Sequence, residues 1–271
     1  MFAKSQNESN KNRATMNRFL AVIPARYGSS RFEGKPLVDI FGKPMIRHVW
    51  ERASGSFDHC VVATDDKRIE DAARAFGATV IMTSSAHRSG TERCNEARIK
   101  AEELFGISFD TVINIQGDEP FIHTSQLELI KSCFDDNATQ IATLVKPFEN
   151  GEDIFNENSP KVVRAVNGNA LYFSRSVIPF LRGTDKNDWQ NSHRFFKHIG
   201  LYGYRADVLS RICELPAGEL ERCESLEQLR WLENGYTIRT AVTDCQSHAI
   251  DTPADLELVL KEYSHLFENK R

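Results

Sequence analysis

From Phe19 to Ile141 the chain alternates short apolar runs with segments whose apolar residues recur every three or four positions. No other feature constrains the fold as strongly. Each run reads as a buried strand and each amphipathic segment as a helix, and strand–helix–strand repeats pack as a parallel sheet with right-handed crossovers. Strands are expected at 19–23, 60–64, 79–82 and 111–115. Pro44 suits the start of a helix that buries Met45, Ile46, Val49 and Trp50. Asp65-Asp66 can cap a second helix with Ile69, Ala72, Ala73 and Phe76 as its stripe and Gly77 as its stop. Ser89 and Glu92 have capping-box spacing before a helix running to about Phe105, and Ser125 and Glu128 before another.

The pattern changes after Ile141. Strands expected at 141–146, 162–166, 170–173 and 199–204 have short links, which favours antiparallel pairing, and 182–194 reads as a long polar loop. Helices at 207–213 and 225–233, a last strand at 236–242 and a terminal helix at 254–267 complete the chain, with Asp251 or Thr252 as the last helix's cap and Pro253 in its first turn. The expectation is an α/β fold: a mostly parallel, Rossmann-like sheet with a smaller antiparallel β lobe. The 271 residues suffice for a well-buried core. A net charge of −4 argues against general nucleic-acid binding, and no apolar run approaches a membrane span. Six cysteines without a close pair argue against a disulfide framework or a zinc site and fit the cytoplasm. Residues 1–18 lack an apolar core and the h-region of a secretory signal, so a disordered extension is expected.

The chemistry concentrates after the first strand. Arg26, Gly28, Ser29, Ser30, Arg31, Gly34 and Lys35 share one short loop, where glycines bring backbone N–H groups near an anion and cations neutralise it. It is neither a Walker A loop, since Pro36 follows Lys35, nor a Gly-x-Gly-x-x-Gly. Asp118 follows the 111–115 strand at the carboxyl edge of the sheet, where α/β proteins place ligands. With a phosphate loop nearby, a carboxylate there suits Mg²⁺, although Gly-Asp-Glu-Pro is also a turn sequence. Asp251 reads either as a second ligand or as a helix cap. His87 to Thr91 precede a helix N-terminus that can meet a phosphate or a base. His198 fits a polyhydroxy ligand or a half-buried structural role, Glu227-Gln228 a site or a polar helix face, and Arg164 and Arg175 a carboxylate or a strand surface.

These motifs are identifiable together. Pro24 to Arg31, Gly34-Lys35-Pro36-Leu37, Gly42 to Ile46, Ala63-Thr64-Asp65, Ser89 to Arg93, Gln116 to Pro120, Ala170 to Arg175, His198 to Arg205, Leu226 to Arg230 and Asp251-Thr252-Pro253 stand in an order that resembles the 3-deoxy-manno-octulosonate (Kdo) cytidylyltransferases. The likeness covers essentially everything after Arg18, and Glu33 departs from the proline usual before the Gly-Lys pair. The resemblance implies a nucleotide-diphospho-sugar transferase fold over 19–271, with a nucleotide-binding core about 19–140, a sugar-binding and dimerisation part about 141–250, and a C-terminal helix 253–267. It implies transfer of CMP from CTP to the 2-hydroxyl of Kdo for lipopolysaccharide biosynthesis, with Mg²⁺ as cofactor and a homodimer as assembly. By the same resemblance Ala25, Arg26, Tyr27, Arg31, Lys35, Ser89, Gly90 and Gln116 would bind the nucleotide, and Arg26, Lys35 and Asp118 would carry catalysis. Asp118 and Asp251 would bind the metal, and Gln116, Arg175, His198, Tyr202, Glu227 and Gln228 the sugar. The alternatives are CMP transfer to amino-Kdo or a sialic acid, a non-catalytic nucleotide-binding regulator, and an interaction protein sharing only the core.

Overall fold

The computed structural model describes residues 17–28, 31–246 and 248–266. The amino-terminal half follows the apolar runs. β1 (Phe19–Ala25) leads through the basic loop to a hairpin of β2 (Asp39–Ile40) and β3 (Lys43–Pro44), then to α1 (Met45–Ser54). β4 (Cys60–Thr64), α2 (Lys67–Ala75), β5 (Thr79–Met82), α3 (Gly90–Phe105), β6 (Thr111–Asn114) and α4 (Thr124–Ser132) continue the alternation. β7 (Ile141–Pro147), the paired β8 (Lys161–Arg164) and β9 (Ala170–Ser174), α5 (Trp189–Ser192) and the long β10 (Phe196–Arg205) follow. Then come α6 (Ala206–Cys213), α7 (Glu219–Glu224), α8 (Gln228–Glu233), β11 (Ile238–Val242) and α9 (Pro253–Tyr263).

The main sheet has the order β11-β7-β10-β6-β1-β4-β5, and β10 runs against its neighbours β6 and β7 while the other pairings along this path are parallel. The antiparallel β8–β9 hairpin joins the sheet through β10. Central β1 is apolar throughout because both of its faces are covered. Ala21 and Ile23 pack with Val62, Ile113 and residues of α1, α2 and α4, while Leu20 and Val22 pack with Val61, Val112 and residues of α3 and α6.

Several local expectations change. α4 starts before Ser125: Gln126 Oε1 accepts the His123 N–H at 3.1 Å, while Glu128 instead pairs with Lys131. The polar 182–194 segment contains α5, because Trp189 is buried against Ile154 and Phe195. The helix expected at 225–233 is the shorter α8, preceded by the unexpected α7, which Ser225 ends at φ +51°, and Arg230 reaches back to Glu221. Asn17 and Arg18 belong with the core rather than with an extension, since Asn17 Nδ2 donates to the Phe134 carbonyl and the Arg18 N–H to Asp110, each at 2.8 Å. The rest of that extension, Ser29, Ser30 and the expected helix end at Phe267 lie outside the described residues. Among the described residues no helix is long and apolar enough to cross a membrane.

Candidate active site

β1 and β6 are adjacent and parallel, so the segments leaving their carboxyl ends meet at one edge of the sheet. Gly117 makes that meeting possible: a Cβ there would stand 2.8 Å from the Pro24 carbonyl oxygen, closer than real Cβ contacts. The basic loop is closed by a Gly34 N–H bond to the Tyr27 carbonyl at 2.9 Å, and Gly34, at φ +69°, turns the chain into the short 3₁₀ turn that carries Lys35. The Ile250 N–H donates to the Asp118 carbonyl at 2.9 Å, which fixes Asp251 beside Asp118.

Lys35 Nζ is 2.8 Å from Asp118 Oδ2 and 3.0 Å from Asp251 Oδ1, with its side chain 13% exposed. Arg31 pairs with the other Asp251 oxygen at 3.2 Å. Asp251 is not the helix cap. That role falls to Thr252, whose hydroxyl accepts the Asp255 N–H, while the Asp255 carboxylate accepts the N–H groups of Asp251 and Thr252. Burial acts to raise the Asp255 pKa, but these hydrogen bonds prevail and hold it below its usual value. The two far-separated acids and the loop lysine therefore share one cleft.

That cleft, a cavity of about 240 Å³, is lined by Ala25, Arg26, Arg31, Lys35, Ser89, Gly90, Gln116, Asp118 and Asp251. Arg26 has no carboxylate partner among the described residues. Ser89 caps α3, its Oγ accepting the Glu92 N–H at 3.3 Å. The capping box is half made, since Glu92 accepts the Arg88 N–H instead. Tyr27 does not line the cavity: its ring packs beneath the Arg68 guanidinium, 3.2 Å from the ring centroid, and against Gly34, so it shapes the loop.

The sugar-side candidates form a second group behind the α3 N-terminus. Glu227 Oε2 accepts the Thr91 hydroxyl at 2.8 Å, and burial raises its pKa despite hydrogen bonds from Thr91 and Ser89. His198 stands 5.2 Å from the Tyr202 ring, and its Nε2 is 3.0 Å from Thr143 Oγ1. Thr143 has one hydroxyl proton and faces the carbonyls of Ile199 and Leu201 at 3.0 and 2.8 Å, so it shares that proton between them and accepts from His198 Nε2–H. Those carbonyls lie in a β10 bulge between Ile199 and Tyr202. Burial lowers the His198 pKa to about 4, so the ring is neutral near pH 7. Asn114 Oδ1, the hydroxyls of Tyr202 and Tyr204 and Gln228 Nε2 are buried without a hydrogen-bond partner among the described residues. The Asn114 amide lies just beyond the cavity wall, Nδ2 being 3.7 Å from where a Cβ on Gly90 would stand. Arg175 lies apart from the cavity, at the end of β9, with its guanidinium bonded to the carbonyls of Glu157, Glu224 and Ser225.

Arg93 escaped the sequence reading. It lines the cavity while tying α3 to Asp65 at 3.0 Å and to Thr83, the residues just after β4 and β5. Its helical position was legible, but the two strand ends it joins are brought together only by the sheet. His87, also in the lining, is held by Glu96.

Comparisons with known proteins place the chain in a family. A family model described as cytidylyltransferase matches residues 20–238. The chain is 56% identical over 249 residues to a 3-deoxy-manno-octulosonate cytidylyltransferase of Parabacteroides distasonis, covering 90% of this chain and 98% of that protein. A protein of the same name from Phocaeicola vulgatus is 58% identical over 242 residues, covering 88% of this chain and 94% of that one. The solved structure of a CMP:2-keto-3-deoxy-manno-octonic acid synthetase complexed with CTP superposes with a TM-score of 0.83 at 43% identity, covering 92% of this chain and all of the other. A shared fold, identity above one half and near-complete mutual coverage establish that this chain belongs to the 3-deoxy-manno-octulosonate cytidylyltransferase family.

Proposed function

We infer that the chain transfers CMP from CTP to the 2-hydroxyl of Kdo and releases pyrophosphate. One observation carries the chemistry: Asp118, Asp251 and Lys35 converge at 2.8 and 3.0 Å beneath a loop that also supplies Arg26 and Arg31. Nucleotidyl transfer depends chiefly on positioning and charge neutralisation, with the attacking and departing oxygens in line. Arg26, Arg31 and Lys35 would hold the triphosphate and offset the charge that builds on pyrophosphate as it leaves. The N–H groups at the start of α3, beside Ser89 and Gly90, line the cleft's other side.

The donor set also suits Mg²⁺. Two carboxylate oxygens already focus on one cation, the Lys35 ammonium. Among the described residues no cluster of three or more His, Cys, Asp or Glu side chains forms a cage. A pair of carboxylates completed by substrate phosphates is the Mg²⁺ pattern. When bound by Asp118 and Asp251, Mg²⁺ would neutralise phosphate charge and acidify a nearby hydroxyl.

The sugar is assigned to the Gln116, His198, Tyr202, Glu227 and Gln228 side of the cleft. Buried donors and acceptors left unpaired cost about 1–3 kcal/mol each, a cost that a polyhydroxy ligand removes by bonding them. Neutral His198, held by Thr143, orients the sugar and does not act as a proton carrier. Arg175 would reach the sugar carboxylate only by leaving its three carbonyls. The product is proposed to feed lipopolysaccharide assembly, and the enzyme is proposed to be a homodimer. Exposed Leu171 and Phe180 support an interface, which sedimentation velocity checks. The deciding assay is pyrophosphate release with each of the common ribonucleoside triphosphates against Kdo, amino-Kdo and a sialic acid. Turnover should require CTP and Kdo. Absence of turnover with that pair, or a preference for another sugar acid, overturns the assignment.

A further inference from the structure

The position of Lys35 has a consequence that rests on the reading above and deepens it. An ammonium group and a divalent cation cannot occupy the same point, and Lys35 Nζ stands where an ion bound to Asp118 Oδ2 and Asp251 Oδ1 would stand. Its side chain is only 13% exposed, and the Arg31 pair closes on Asp251 from the solvent side. Both acids are thus already neutralised by cations of the phosphate loop.

We propose that Lys35 gates the metal site: it must leave the two carboxylates before a divalent cation can bind, and the triphosphate is what draws it away. The phosphates offer Lys35 and Arg31 a more highly charged partner than the aspartates do. As the loop cations transfer to the phosphates, Asp118 and Asp251 are released for the metal. Metal and nucleotide therefore bind cooperatively, and a metal ion alone binds only weakly, because it must displace Lys35 from the two carboxylates. This exchange keeps the acids neutralised at every stage, so the site does not hold two unpaired carboxylates in a partly buried cleft.

The test is Mn²⁺ binding to the full chain without nucleotide, followed by loss of the free-ion electron paramagnetic resonance signal. Lys35→Met should bind Mn²⁺ roughly tenfold more tightly than the unsubstituted chain, and adding Asp118→Asn should abolish the gain. A second readout uses the unsubstituted protein and needs no variant to fold. Acetylation of Lys35, mapped by mass spectrometry, should accelerate when Mg²⁺ alone is raised and should slow when CTP and Mg²⁺ are both present. Unchanged Mn²⁺ affinity in a folded Lys35→Met chain, or Lys35 labelling indifferent to Mg²⁺, overturns the gate. If the unsubstituted chain with CTP still binds Mn²⁺ in an Asp118-dependent way, the metal assignment survives that failure. If no metal binding depends on Asp118 under any condition, the metal assignment falls and the gate with it.

Discussion

Gly117→Ala probes the close approach that builds the cleft. The added methyl would stand 2.8 Å from the Pro24 carbonyl oxygen, about 0.6 Å inside ordinary contact, which begins near 3.4 Å. Pro24 cannot yield cheaply, because it sits within β1 in register with Ala63 of β4. The segment after β6 must move instead. Overpacking of this kind costs ~1–3 kcal/mol, which for a domain of this size lowers Tm by roughly 2–10 °C. The displacement passes directly to Asp118 and, through the Asp118 carbonyl and Ile250 N–H bond, to Asp251. A shift of ~1 Å in a reacting geometry can cost about a hundredfold, so turnover should fall at least about tenfold. Differential scanning fluorimetry and continuous pyrophosphate release measure both effects. A variant with Tm within about 1 °C and turnover within about twofold would show that the two strand ends need not touch, and the reasoning about this glycine would fail.

Three further outcomes follow from particular contacts. Thr252→Ala removes the α9 cap and should lower stability by ~1 kcal/mol, whereas Asp251→Asn should leave Tm nearly unchanged, as thermal melts of the pair will show. Burial holds His198 near pKa 4 against its usual 6.5, so the unfolded chain takes up the proton first as pH falls. The histidine's contribution is then intact above pH 6.5 and is lost toward pH 4, with a slope of up to ~1.4 kcal/mol per pH unit that urea titrations of the unsubstituted chain and of His198→Gln should separate. Glu227→Gln should raise the KM for the sugar about tenfold or more while leaving the KM for CTP within about twofold; the reverse split would move Glu227 to the nucleotide side.

Much of the parallel half was legible because its signals are local. The runs at β1, β4, β5 and β6 and the Asp66 and Ser89 caps need only a few consecutive residues to declare themselves. The path of β10 between β6 and β7 was not, since antiparallel insertion depends on partners far along the chain. The Ser125 capping spacing misled because His123 and Gln126 offer the same geometry two residues earlier, and the helix can start only once. In the site, Asp118 and Asp251 each had two readings in sequence. Their shared cleft was not legible, since it brings Lys35 and Asp251, 216 positions apart, to 3.0 Å. The resemblance put Tyr27 with the nucleotide, whereas its ring stacks under Arg68 from α2, a contact no local pattern reveals.

The proposed catalysis depends on Asp118 and Asp251 acting as one metal-binding unit. Pyrophosphate release from CTP and Kdo, measured across Mg²⁺ concentrations for Asp118→Asn, Asp251→Asn and the double variant, tests that directly. Each single change should cost at least about a hundredfold and raise the Mg²⁺ requirement, and the double variant should lose little more than either alone. Turnover within about threefold of the unsubstituted chain in either single variant, or losses that multiply in the double, would contradict it.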